Sequence, residues 1–440
     1  MFFSLPLFAA SAKPILLTEN QAIQLFYQRN LNLLAARYSI DQAQAQEIIA
    51  SAIPNPTISV QISEISKNSN INSAALGCPK GHNVNCNPAE TYAFSQLIEM
   101  AGKRGLRMQS SAIATQAAES DFRDALRILT NIVRDAYFGL LQAQKNHWLA
   151  KEIVTHYQDI VRDNRLRLQA GDIRGPDFLR INMESLRAQV DLDNAEAAIE
   201  QAQGNLAVVL NWPDITMQLA AEDKWPELRE IGQSLAREAL IEKALSLRPD
   251  LQGDRLRADQ ADKDLILANR LKYPDVTLSA GFARDPSNTV LNTGFVGVSI
   301  PVPLFYQYKG EVSKASVNLG QMHLAVEETK LAVRNDIVAS LAAWKSTDKV
   351  VRLYEKELAQ QARQVRDRTE LAYTKGVIGV LEFIDAQRSY KSVMLDYYTA
   401  MINRVNAYYD LAKSIGVEPD ADLSLPRGEP AKSGLSTRKR

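Results

Sequence analysis

The residues of this chain best equipped for chemistry lie in two places. Both cysteines, Cys78 and Cys86, sit in the stretch LGCPKGHNVNCNPAE with His82 midway between them. The Cys-x3-His-x3-Cys spacing offers three soft ligands to zinc or copper. Two thiols so placed can also close a disulfide where the compartment is oxidising. The second set is acidic. Asp177 lies six residues after Gly171, Glu382 six after Gly376, and Asp385 one helical turn beyond Glu382, hence on the same helix face. Carboxylates gathered in a ring at a constriction attract cations and hold water; at a helix start they also complement the helix dipole. No H-E-x-x-H, G-x-S-x-G, P-loop or dinucleotide fingerprint occurs, so no catalytic residue, enzyme activity or cofactor is expected. His147, His156 and His323 stand singly in helical stretches and read as ordinary surface or packing residues.

The elements that must position these groups are long. The chain has 440 residues but only 20 glycines and 17 prolines, with Ala, Leu, Gln and Arg recurring throughout. Lys+Arg and Asp+Glu balance at 51 each, without the basic footprint of a nucleic-acid binder. No run of about 18 apolar residues occurs, so no helix is expected to span a membrane. The apolar start, MFFSLPLFAASA, ends in Ala10-Ser11-Ala12 and reads as a secretory signal with its cleavage site but without the basic start, a truncated signal, the alternative being an ordinary apolar N-terminus. From Lys103 to Ala170 there is no proline, and 68 residues of helix would extend about 100 Å.

The order of elements occurs twice. Helical spacing over 18–52 ends at Pro54-Asn55-Pro56; TISVQIS and TYAFSQLI alternate as strands; a long helix then turns at AGDIRGPDF into a second helix. A helix over 234–271, strands VTLSAGF and FVGVSI, a helix over 310–374, a turn at KGVIGVLEF and a last helix repeat the plan. Pro54 lies over Pro274 at an offset of 220, while Gly105 over Gly310, Gly171 over Gly376 and Phe178 over Phe383 give 205. The excess of 15 residues falls in the loop between the first two strands, which carries the cysteines.

The reading divides the chain into a signal peptide at 1–12, a first repeat at 18–210, a linker at 211–233, a second repeat at 234–417 and a disordered tail at 418–440. Strands are expected at about 56–64, 90–99, 275–284 and 293–302, with tip turns at about 170–177 and 375–382.

Each strand has one apolar face and one face of Ser, Thr, Gly and Gln, the alternation of a membrane barrel with a wet lumen. Four strands cannot close such a barrel, because small single-chain barrels need about eight. Three chains would supply twelve. Tyr92, Phe94, Phe282 and the cluster Leu304-Phe305-Tyr306-Gln307-Tyr308 suit interface belts or ordinary packing. Lys103, Arg104 and Arg107, at the passage from strand to helix, could meet interfacial phosphates or form a solvated face.

IPNPTISV, SQLIEMAGKRGLR, LRPDLQGDRLRADQA, YPDVTLSAGF, GVSIPVPLF and LAYTKGVIGVLEFIDAQRSY, in this order and spacing, resemble the outer-membrane efflux protein family, the TolC type. SQLIEMAGKR followed by a long helix is similar to the branch serving heavy-metal exporters of the resistance-nodulation-division class. The resemblance implies a mainly α fold with membrane β. It implies a homotrimer whose twelve-stranded outer-membrane barrel is continued by a periplasmic α-helical barrel. The implied function is the passive exit duct of a tripartite efflux system, with a periplasmic adaptor and an inner-membrane pump as partners and the outer-membrane lipid around the barrel.

By the same resemblance the acidic pair Glu382 and Asp385 lines the periplasmic constriction, and Asp177 matches an acidic position at the first tip. Tyr373 matches a tyrosine that helps hold the tip closed. The basic residue often found two after the second glycine is Ile378 here, so Arg174 on the other tip is the expected substitute. Gly171-Asp172-Ile173 and Gly376-Val377-Ile378 resemble the exposed surface that receives the adaptor. Outside the cell, Cys78 and Cys86 are expected as a disulfide rather than metal ligands. The alternative from another class is a soluble coiled-coil scaffold with a small β docking domain.

Overall fold

A computed structural model of the protein describes residues 14–63, 89–213, 218–228, 236–285 and 292–417. The signal at 1–12, the loop with Cys78, His82 and Cys86, and the tail from 418 lie outside the described residues. In chain order the elements are β1 (Ile15–Leu17), α1 (Glu19–Arg29), α2 (Leu31–Ser51), β2 (Thr57–Ser63), β3 (Ala89–Ile98), α3 (Lys103–Ala170), α4 (Gly175–Val209), β4 (Leu219–Ala221), α5 (Arg237–Leu247), α6 (Pro249–Arg270), β5 (Val276–Arg284), β6 (Asn292–Ser299), α7 (Lys309–Leu353), α8 (Ala359–Thr374) and α9 (Val380–Ile415). A single π-helical turn, Tyr354–Leu358, separates α7 from α8.

Two helices that the apolar spacing reads as continuous are each divided. Asn30 caps α1 in an extended conformation, and its Oδ1 accepts from the Leu33 amide at 3.0 Å to start α2. Arg248 is extended because Pro249 follows, and a residue before proline avoids the helical region. Periodicity persists across both breaks, so spacing alone hides them.

The chain forms two compact units. One comprises residues 35–123 and 249–331 and holds an antiparallel sheet in the order β2-β3-β5-β6. Ile58 pairs with Phe94, Phe94 with Ala280 and Ala280 with Val296, so one face gathers Ile58, Val60, Phe94, Phe282, Val296 and Val298. All six are exposed. The other face is small and polar, as in the row Thr57, Ser95, Ser279 and Gly297. Among the described residues the outer edges of β2 and β6 have no strand beside them. Gln96, the polar break in the apolar face of β3, donates its amide to the Pro54 carbonyl at 2.8 Å.

The basic residues at the start of α3 are committed within this unit rather than free for phosphates. Lys103 is buried and pairs with Asp275 at 2.9 Å, Arg107 makes two bonds to Glu99 at 2.5 and 2.8 Å, and Arg104 donates to the Ser51 carbonyl at 2.8 Å. The hydrogen bonds and charge of Arg107 hold the Glu99 carboxyl below the ordinary carboxylate range.

The other unit comprises residues 1–34, 124–248 and 332–440. A short parallel pair joins Ile15–Leu17 to Leu219–Ala221, and Glu19 receives Arg134 at 2.9 Å and Tyr409 at 3.0 Å. The core nearest the helical turns packs Leu149, Ile153 and Tyr157 of α3 with Ile181 of α4 and Phe383, Tyr390 and Met394 of α9.

Candidate functional site

The turns between α3 and α4 and between α8 and α9 are built alike. Gly171 has φ +81° and Gly376 φ +71°, left-handed conformations in which a side chain is strained. Behind each glycine the same two bonds close the helix end. Gly171 N–H reaches Leu168 O at 3.1 Å and Asp172 N–H reaches Arg167 O at 2.9 Å; Gly376 N–H reaches Tyr373 O at 3.0 Å and Val377 N–H reaches Ala372 O at 2.9 Å. These are Schellman closures, and they satisfy carbonyls that would otherwise be orphaned. The next helix starts four residues on in both, at Gly175 after Arg174 and at Val380 after Gly379, without a side-chain cap in either case.

Asp177 and Glu382 are therefore each the third residue of a helix. Their surroundings differ. Asp177 is neutralised by its own helix, with Arg174 at 3.4 Å and Arg180 at 3.9 Å. Among the described residues Glu382 and Asp385 have no ion-pair partner and are both exposed. The Glu382 carboxylate turns back over its helix start: a Cβ at Gly379 would lie 2.9 Å from Glu382 Oε2. A side chain added at Gly379 would push that charge away.

Tyr373 is buried to 7 % exposure, and its hydroxyl donates to Asn164 Oδ1 at 2.6 Å. Its ring stacks on Phe383, centroids 4.9 Å apart. Burial raises the pKa of the phenol, so it is a donor throughout the physiological range. Arg167, rather than Arg174, links the two turns: its guanidinium lies 5.9 Å from the Tyr373 ring and donates to the Thr374 carbonyl at 2.6 Å. Asn164 and Arg167 carry no sequence signal beyond their place one to two turns before Gly171.

Of the expected exposed surface, Gly171, Asp172 and Gly376 are open to solvent, and Val377 is 76 % exposed. Ile173 and Ile378 are half-buried, Ile378 against the core beneath the turns. Of these six residues, Val377 is thus the main apolar one presented.

Behind the turns, Glu184 of α4 receives Arg388 of α9 at 2.5 Å and Arg187 at 2.8 Å. Burial alone would raise this carboxyl, but the hydrogen bond and charge of Arg388, with Arg187 behind it, lower it. Lys391 pairs with Asp191 across the same two helices. His156 is not isolated: its Nε2 lies 3.1 Å from Glu370 of α8 and 3.0 Å from the Gln387 amide of α9. Among the described residues no group of three or more His, Cys, Asp or Glu is arranged to hold a metal ion.

Comparison with known proteins agrees with this architecture. The family model described as outer membrane efflux protein matches residues 22–211 and 240–417. The cobalt-zinc-cadmium resistance protein CzcC of Cupriavidus metallidurans is 24% identical over 385 residues, covering 87% of this chain and 85% of that protein. The crystal structure of CusC superposes with a TM-score of 0.76 at 16% identity, covering 91% of this chain and 92% of that one. The CmeC outer membrane channel of Campylobacter jejuni gives 0.75 at 18% identity, covering 90% and 85%. With the family model spanning most of its length, this chain belongs to the outer membrane efflux protein family, as an outer-membrane channel of the TolC type rather than an enzyme.

Proposed function

We propose that the protein is the exit duct of a tripartite efflux system, formed by three copies and gated at the turns that carry Tyr373, Glu382 and Asp385. The observation that carries the reading is the four-stranded sheet, with one exposed apolar face and both outer edges unpaired among the described residues. An open edge inside a lipid bilayer leaves unsatisfied backbone groups, and only closure into a barrel removes them. Three copies give twelve strands, and the twofold plan of helix, two strands and helical hairpin reads as an internal duplication. Exposed stripes support association of the helices: Leu179, Met183, Leu186 and Val190 on α4 follow heptad spacing, and Val317, Leu324, Leu331 and Val338 recur every seven residues on α7.

At the tips, Asn164 and Arg167 hold the end of α8 while Glu382 and Asp385 supply unpaired negative charge. Three copies would turn that pair into a ring that favours cations; Asp177, already matched by two arginines, contributes less. Val377, with Gly171, Asp172, Ile173, Gly376 and Ile378 around it, forms the surface for a periplasmic adaptor. Cations of heavy metals are the favoured cargo, on the likeness to a cobalt-zinc-cadmium resistance protein. An oxidising exterior favours a Cys78–Cys86 disulfide.

Membrane fractionation followed by native mass measurement tests assembly. Recovery in the outer membrane as a heat-sensitive trimer is expected; release without detergent as a monomer contradicts the duct. Loss of the gene should lower tolerance to cobalt, zinc or cadmium, and unchanged tolerance to all three contradicts the cargo.

A further inference from the structure

The polar face of the sheet carries one large side chain in its middle. The register places Ser59, Ala93, Gly281 and Phe295 in one row across the four strands. The rows on either side contain only Thr, Ser, Gly, Ala and Gln; among the described strand residues, the other large apolar side chain of this face is Leu97, next to the end of β3. Phe295 is out of phase with Val296 and Val298, so it cannot belong to the lipid-facing stripe.

Phe295 also has a fitted seat. A Cβ at Gly281 would collide with the far tip of the Phe295 ring and with the Tyr92 carbonyl oxygen. The ring therefore lies across the sheet over Gly281 rather than standing away from it, and it remains 38 % exposed. Lying flat, the ring keeps its outer face open, more than a third of its area, on a face otherwise lined by small and polar side chains. Its exposed π-face can take an organic cation or an aromatic molecule.

We propose that Phe295 is a permeant-contacting residue on the water-facing wall of the barrel, an aromatic contact that gives organic cations a place in a duct whose favoured cargo is metal cations. The proposal rests on the duct reading above, in which three copies place three such rings at one level of the lumen. Each ring lies flat, so the three act as contact patches and not as a plug.

Trimers in planar bilayers test this, with tetrabutylammonium added on the barrel side as the probe. Phe295→Leu keeps apolar packing over Gly281 but removes the π-face; the blocking constant should weaken about two- to five-fold, and Phe295→Tyr should restore it. In a Cys78→Ser/Cys86→Ser background, Phe295→Cys should change conductance on treatment with a charged, water-soluble thiol reagent. Unchanged block in Phe295→Leu, or a conducting Phe295→Cys channel indifferent to the reagent, overturns the proposal. Wild-type trimers that carry no current would instead overturn the duct beneath it, and the proposal with it.

Discussion

The hydroxyl of Tyr373 donates to Oδ1 of Asn164 at 2.6 Å, with both side chains buried. Asn164 donates its own amide to the Ile160 carbonyl at 2.8 Å, which fixes the side chain, and among the described residues Tyr373 is the donor that its Oδ1 receives. One bond thus ties the last turn of α8 to α3 beside the turn that carries Glu382.

Tyr373→Phe keeps the stack on Phe383 but leaves Asn164 Oδ1 buried without a donor, at a cost of about 1–3 kcal/mol. If this bond holds the tip closed, single-channel conductance rises while trimer assembly persists. Equal conductance with a lowered thermal midpoint would mean a purely structural bond.

Gly376→Ala should lower stability by about 1–2 kcal/mol, because alanine is strained at φ +71°. Gly204→Ala serves as the control: this glycine lies inside α4, and a Cβ there meets nothing within 4 Å. That change should be neutral or stabilise by up to about 1 kcal/mol. Thermal unfolding of the two variants compares them directly; equal effects would contradict the assignment of the turn.

The Glu184 carboxyl is held below its ordinary pKa by Arg388 and Arg187 despite burial. A depressed carboxyl contributes stability that is full above its unfolded pKa and is lost as pH falls through the folded value. The contact between α4 and α9 is therefore constant through neutral pH and weakens only below about pH 4.3, the ordinary glutamate value. In thermal scans against pH, Glu184→Gln should be less stable near neutrality and should lose less on acidification. Parallel curves for variant and wild type would remove Glu184 from the pH response.

Much of the architecture was legible because its signals are local. Period-two alternation marks Ile58, Val60 and Ile62 against Ser59 and Gln61, and the left-handed glycines 171 and 376 punctuate otherwise unbroken helices. The breaks at Asn30 and Arg248 were hidden, since neither interrupts the apolar spacing. Side-chain partners were least legible. Lys103 reads as a free cation until β5 brings Asp275 to it, and Asp177 reads like Glu382 until Arg174 and Arg180 are seen to neutralise it. Asn164, Arg167 and Glu184 act across 209, 207 and 204 residues respectively. No pattern along a single helix encodes such distant pairings.

The proposed gate is tested most directly by the reversal potential of the reconstituted channel under a salt gradient, wild type against Glu382→Ala/Asp385→Ala. Neither carboxylate has an ion-pair partner among the described residues, so wild type should prefer cations and the double variant should lose most of that preference or conduct more. A double variant with the same reversal potential and conductance as wild type would contradict a constriction formed by Glu382 and Asp385.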